Sequence, residues 1–92
     1  MEDKVVIFKT FSDLKSYYER ISGRACQNLT DFLNENPHIE IISLNKRRII
    51  IENAGNGKEY YNLDLIFKVD KKYCEYKDYS KSWELKNKGY FN

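Results

Sequence analysis

The stretch EYYNLDLIFKV, residues 59–69, constrains the fold of this chain more than any other. Tyr61, Leu63, Leu65, Phe67 and Val69 alternate with Tyr60, Asn62, Asp64 and Lys68, and Ile66 is the exception. Successive side chains of a strand point to opposite faces, so a period of two predicts a strand with its odd-numbered residues toward a core. A sheet with one apolar face needs a second layer over it. The chain supplies one upstream. In KTFSDLKSYYERISGRACQNLTDFLNENP, Leu14, Tyr18, Ile21, Ala25, Leu29 and Phe32 recur every three or four residues, one stripe of an amphipathic helix. The stripe predicts a single helix over 12–35, about 36 Å long. Ser12 or Thr10 is its expected cap, with Asp13 near the positive end of the dipole. Pro37 ends it, because it has no N–H and disfavours the α conformation at Asn36. Gly23 costs about 1 kcal/mol relative to Ala inside such a helix, and the unbroken stripe is the reason to read through it.

Three further runs are rich in β-branched residues. KVVIF (4–8) reads as a strand buried on both faces. HIEIISL (38–44) and RRIIIE (47–52) are either two strands turned at Asn45-Lys46 or one long strand with a bulge where the alternation slips. The cluster Asn45, Lys46, Arg47 and Arg48 suits a solvated hairpin tip, so two strands are expected. NAGNGK (53–58) sets two glycines beside a lysine, but a phosphate loop needs G-x-x-x-x-G-K-[ST] between a strand and a helix. The spacing of Gly55 and Gly57, Glu59 in place of a hydroxyl and the strand that follows all favour a hairpin turn. Strand, crossover helix and strand make a right-handed unit with the two strands parallel. The expected fold is therefore α+β, a single domain over 1–92. One long amphipathic helix packs on a mixed, mainly antiparallel sheet (β-α-β-β-β, ferredoxin-like or related), and a Tyr/Lys-rich segment follows at 70–92.

That segment holds the charge asymmetry. Residues 1–69 carry 10 Lys+Arg and 10 Asp+Glu, whereas 70–92 carry 6 lysines and 4 acids, the whole of the net +2. Tyr73, Tyr76, Tyr79 (or Ser80) and Trp83 recur at helical spacing, which fits a short terminal helix with its aromatic side on the sheet. Tyr73-Glu75 and Cys74-Tyr76 also fit an edge strand. The lysines interleaved with aromatics are read first as a solvated face. As a contact surface, Lys72, Tyr76, Lys77, Tyr79, Lys81 and Trp83 would meet a protein, or phosphates and bases. The intermixed Asp70, Glu75, Asp78 and Glu84 repel phosphate and favour the protein. Arg47 and Arg48 form the second candidate contact.

Catalytic patterns are nearly absent. His38 is the only histidine, and Cys26 and Cys74 lie far apart without CxxC spacing, so neither a metal site nor a cofactor is expected. Neither thiol has an adjacent His or a helix N-terminus to activate it. Asp64 and Glu52 would pair across strands on an outer, solvated face. MEDKVVIFKTF does not read as a signal peptide and no run reaches the roughly 20 apolar residues of a membrane span, so the expected location is cytoplasmic. Abundant Lys, Asn, Ile and Tyr point to an AT-rich genome.

At VVIFKTFSDLKS, and again at LTDFLNENPHIEIISLN, the chain resembles a family of very small bacterial proteins first noticed through sporulation-specific expression. Phe32-Leu33 at the helix end, followed by Ile39-Glu40-Ile41-Ile42, carries the resemblance. It implies strand, helix, strand and a low-GC Gram-positive source, and no functional residue. The helix here is longer around ERISGRACQ, and a second half follows.

Together these features predict a small non-enzymatic protein that works by binding a macromolecule, above all another protein. An inhibitor of a host system from a phage or mobile element, or an accessory or sporulation protein, fits. Nucleic-acid binding through the C-terminal segment and the Arg47-Arg48 tip is the alternative. A 92-residue domain of 41% hydrophobic residues has a modest core, and homodimerisation through a sheet edge is a natural way to bury more.

Overall fold

The computed structural model describes residues 3–50 and 59–86. In chain order its elements are β1 (Lys4–Ser12), α1 (Arg24–Glu35), β2 (Glu40–Ile49), β3 (Tyr60–Asp70), a short 3₁₀ turn (Lys71–Tyr73), β4 (Cys74–Lys77) and β5 (Ser82–Leu85). The class is α+β. β3 is the middle strand of a three-stranded sheet in the order β1-β3-β2, and β4 and β5 form a separate hairpin. Each ladder is antiparallel, so the sheet is not mixed. β1 and β2 run parallel to one another only because both oppose β3, which lies between them.

The period-two reading of β3 holds where it matters. Leu65, Phe67 and Val69 are fully buried, and the register sets Val5, Ile7 and Phe11 of β1 on the same face. α1 covers that face with Ala25 and Leu29, and Phe32 packs its ring 5.4 Å from Phe11 and 5.5 Å from Phe67. Trp83 and Leu85 of β5 and Cys74 of β4 close the core at the β1 side. Tyr60, expected to point outward, is buried.

Three expectations are corrected. The helix spans only 24–35. β1 runs on to Ser12, paired with Asn62, and Asp13 N–H continues the ladder by donating to Tyr61 O at 3.0 Å. Backbone groups used in a strand are unavailable to a helix. The upstream half of the apolar stripe is not buried: Tyr17 and Tyr18 stand in solvent, and Leu14 and Ile21 are exposed. Second, β1 is buried on one face, not both, since Val6 and Phe8 are 60% and 62% exposed. Third, Asn45 and Lys46 are not a turn. They pair with Asp64 and Leu63 inside a continuous β2, and the slipped alternation is a bulge that skips Ile42 between Ile41 and Ser43. The aromatic C-terminal stretch, left open between helix and strand by its spacing, is a hairpin. Its turn carries Lys81 at φ 50°, and Tyr76 pairs with Trp83 across the ladder. The turn read at 53–58 lies outside the described residues, as do Ile51 and Glu52 of the expected 47–52 strand.

The helix starts where Gly23 takes φ 84°, a left-handed conformation costing about 1–2 kcal/mol for a residue with a side chain. Gly23 has no side chain to cap with, so the cap comes from ten residues upstream. Asp13, the one buried charged residue among the described residues, accepts from Ala25 N–H through Oδ1 at 2.8 Å and from Tyr61 N–H through Oδ2 at 2.9 Å. Its own carbonyl accepts from Ile21 N–H at 2.9 Å. Arg24 Nη1 donates to Ser12 O at 2.7 Å beside it. At the other end Asn36 donates from both its backbone and side-chain nitrogens to Phe32 O, and Pro37 stops the helix as its sequence predicts.

Replacing Asp13 with Ala strands two backbone donors and should cost about 2–4 kcal/mol of unfolding free energy, while Asn, which keeps one acceptor, should cost less. Urea denaturation of the two variants checks the order.

Candidate interaction surface

The sheet has a second face that α1 and the hairpin leave bare among the described residues. On it the register aligns Val6, Phe8 and Thr10 of β1 with Lys68, Ile66 and Asp64 of β3, and the last two with Ser43 and Asn45 of β2. Val6 and Phe8 project from it as exposed apolar groups, with Ile66 half-buried beside Phe8. A polar line crosses all three strands next to them. Thr10 Oγ1 donates to Asp64 Oδ1 at 2.8 Å. Arg47 donates Nε to Asp64 Oδ2 and Nη2 to Oδ1, the latter at 3.0 Å. The Arg47 hydrogen bond, then that of Thr10, hold the Asp64 carboxyl below its ordinary value, and the same contact raises Arg47.

Arg47 and Arg48 therefore do not sit at a hairpin tip; they lie within β2, an edge strand, near its C-terminal end. Each cation of the cluster leans on β3 or the residue before it. Lys46 Nζ stands 4.0 Å from the centre of the Tyr61 ring, and Arg48 Nη2 lies 3.5 Å from Glu59 Oε1. The Tyr61 hydroxyl donates to Glu59. That bond first, and Arg48 second, lower the Glu59 carboxyl and the bond raises the Tyr61 phenol. Between this part of the sheet and the first turns of α1 lies an open groove of about 460 Å³, lined mainly by Ala25, Cys26, Leu29, Leu44, Tyr61 and Leu63.

The second candidate cluster lies on the β4–β5 hairpin, which packs beside β1, at the opposite edge from β2. The structure thus separates the two basic groups instead of joining them into one track. Trp83 is half-buried against the core, with Tyr76 edge-on to it at 5.6 Å and Lys71 Nζ 5.2 Å from its ring. Lys77 Nζ pairs with Glu75 Oε1 at 2.7 Å, which raises its pKa. Tyr79 donates to Glu84 at 3.3 Å from the turn that also holds Lys81, and Lys72 Nζ lies 5.1 Å from the Tyr73 ring. Of the six candidates, Lys72, Tyr76, Tyr79 and Lys81 are exposed, whereas Lys77 is taken up by its ion pair and Trp83 by the core. The ring of His38 lies 3.8 Å from that of Tyr73.

Both cysteines are free thiols. Cys26 is in the first turn of α1, so the expectation that no helix N-terminus adjoins it is corrected; the shortened helix places it there. Cys74 is buried, and desolvation pushes its thiol pKa up. Among the described residues no three His, Cys, Asp or Glu side chains gather as metal ligands would, and no helix is long and apolar enough to cross a membrane. Sequence reasoning missed Val6 and Phe8 as surface groups, and it set Thr10 and Asp13 only at the start of a longer helix. The first two read as core because β-branched and aromatic runs look alike whether one face or two are covered. Comparison with protein-family models, with curated proteins and with solved structures finds no match.

Two measurements follow from this geometry. Asp64 has a lowered folded pKa, so the stability it contributes is present above its ordinary value of 3.8 and is lost as pH falls through the lowered one. Asp64→Asn should remove that acid-side segment from a plot of denaturation midpoint against pH. Iodoacetamide at neutral pH should label Cys26 in the folded chain and reach Cys74 only after denaturant, as mass spectrometry of the peptides would show; rapid double labelling would contradict the burial.

Proposed function

We propose that this chain acts by binding another protein, not by catalysis, and that the bare face of the sheet makes the contact. One observation carries the reading: Val6 and Phe8 stand about three-fifths exposed on a face that no described helix or hairpin covers. Contiguous exposed apolar groups rimmed by polar ones mark interaction surfaces more often than isolated residues do. Here the rim is the Thr10–Asp64–Arg47 line on one side and Lys4, Lys68 and Glu40 on the other. Aromatic groups such as Phe8 supply large contact area at small entropic cost.

The same surface argues less well for nucleic acid. Arg47, Arg48 and Lys77 already meet carboxylates, and the two basic clusters occupy opposite edges. Counterion release needs cations free to approach phosphate. A host-directed inhibitor or an accessory protein would both work through such a face.

Affinity capture with the tagged full chain from its native host, beside a Phe8→Glu variant, tests the proposal. The wild type should retain a protein that the variant retains at least about tenfold less, with the variant's thermal melt unchanged. Retention of nucleic acid that falls steeply with salt, unaffected by Phe8→Glu, would replace this reading with the nucleic-acid one.

A further inference from the structure

We infer that β2 pairs edge to edge with β2 of a second copy of this chain, antiparallel about a two-fold axis at Leu44. Among the described residues β2 pairs with β3 alone, so its other edge presents unpaired backbone donors and acceptors along a ten-residue strand. Ile41, Ile42 and Leu44 on it are about half exposed. Edge strands are usually blunted, and the bulge at Ile42 is one such device. Here the bulge also selects a register.

Charge sets the direction. Glu40 stands at one end of β2 and Lys46, Arg47 and Arg48 toward the other. An antiparallel pair lays the acid of each copy along the bases of its mate, whereas a parallel pair lays like on like. The faces set the register. The β2–β3 ladder skips Ile42, so Ile41, Leu44 and Lys46 share the α1 face and Glu40, Ser43, Asn45 and Arg47 share the bare face. An axis at Leu44 pairs Leu44 with itself and Ser43 with Asn45. Past the skipped residue it then pairs Ile41 with Lys46 and Glu40 with Arg47. Every pair joins like faces, as a continuous pleat requires. Moving the axis to Ser43 or Asn45 keeps the faces but sets Glu40 opposite Asn45 or Ile49. Only the Leu44 axis also matches acid to base.

Arg47 has donors to spare, since the five N–H groups of a guanidinium exceed the two given to Asp64. The product is one six-stranded antiparallel sheet, a common size, in the order β1-β3-β2 followed by its mirror sequence of strands. The interface is isologous and closed, so it ends at a dimer. It does not use Phe8, and it goes beyond the partner-binding reading above.

Sedimentation equilibrium of the full chain, from about 1 to 500 µM, tests this. The mass should rise from 11.1 kDa to twice that value. Leu44→Lys, which sets two like charges at the axis, should raise the midpoint concentration at least about tenfold, and Glu40→Lys about threefold or more. Phe8→Glu should leave it unmoved. Both edge substitutions are at exposed positions, and circular dichroism confirms that each variant folds; Glu40→Lys stands alone should Leu44→Lys not. A mass of 11.1 kDa throughout overturns the inference. A dimer indifferent to the edge substitutions, or dissolved by Phe8→Glu, overturns it equally, because the copies then meet elsewhere. A monomer that still captures a protein through Phe8 leaves the proposed function standing.

Discussion

The carboxylate of Asp13 is the junction on which the layers depend. One oxygen receives the helix through Ala25 N–H, the other receives the central strand through Tyr61 N–H. A buried carboxylate is costly unless its oxygens are satisfied, and here backbone donors satisfy both. The helix in turn gains the acceptor that Gly23 lacks. Because Asp13 directly follows β1, a single residue fixes where the strand stops, where the helix begins and how the two sit against β3. The short α1 can then be held by Leu29, Phe32 and Leu33 over a narrow strip of β1 and β3.

That strip is the reason the rest of the molecule is exposed. One twelve-residue helix and a four-residue-strand hairpin cover part of one face of the sheet and, among the described residues, leave the other bare. β2, separated from α1 by the open groove, keeps Ile41 and Leu44 half in solvent although they are on the helix side. The electrostatics have a similar logic. Asp64 gathers Thr10 and Arg47 from the strands on either side, so the bare face is stitched across by side chains where no layer presses on it. Such exposed bonds are individually weak, and their effect is to fix the orientation of the groups that flank Val6 and Phe8.

The local signals in the chain were legible wherever one physical cause acts alone. The alternation of β3 needs only a sheet with one dry face, and Leu65, Phe67 and Val69 took that face. Pro37 ends a helix in any context. The apolar stripe from Leu14 to Phe32 was a different matter, because helical spacing is necessary for a buried helix face but not sufficient. The residues from Leu14 to Ile21 keep that spacing without a surface to cover, and β1 had already claimed the backbone of Phe11 and Ser12. At Asn45-Lys46 the polar cluster imitated a turn, when Arg47 was instead reaching across to Asp64, seventeen residues away in sequence.

By itself, then, the sequence determined the α+β class, the central strand and its buried face, the helix stop and the scarcity of catalytic groups in the pattern, since each follows from side-chain period, backbone chemistry or residue count. Tertiary structure alone decided that the helix is half as long as its spacing predicts, that β2 is one bulged strand, and that the aromatic tail folds as a hairpin. It also decided which of the apolar runs are left bare. Those outcomes hang on contacts between residues tens of positions apart, such as Asp13 with Tyr61 and Thr10 with Asp64, and no local periodicity encodes which distant partner a group will find.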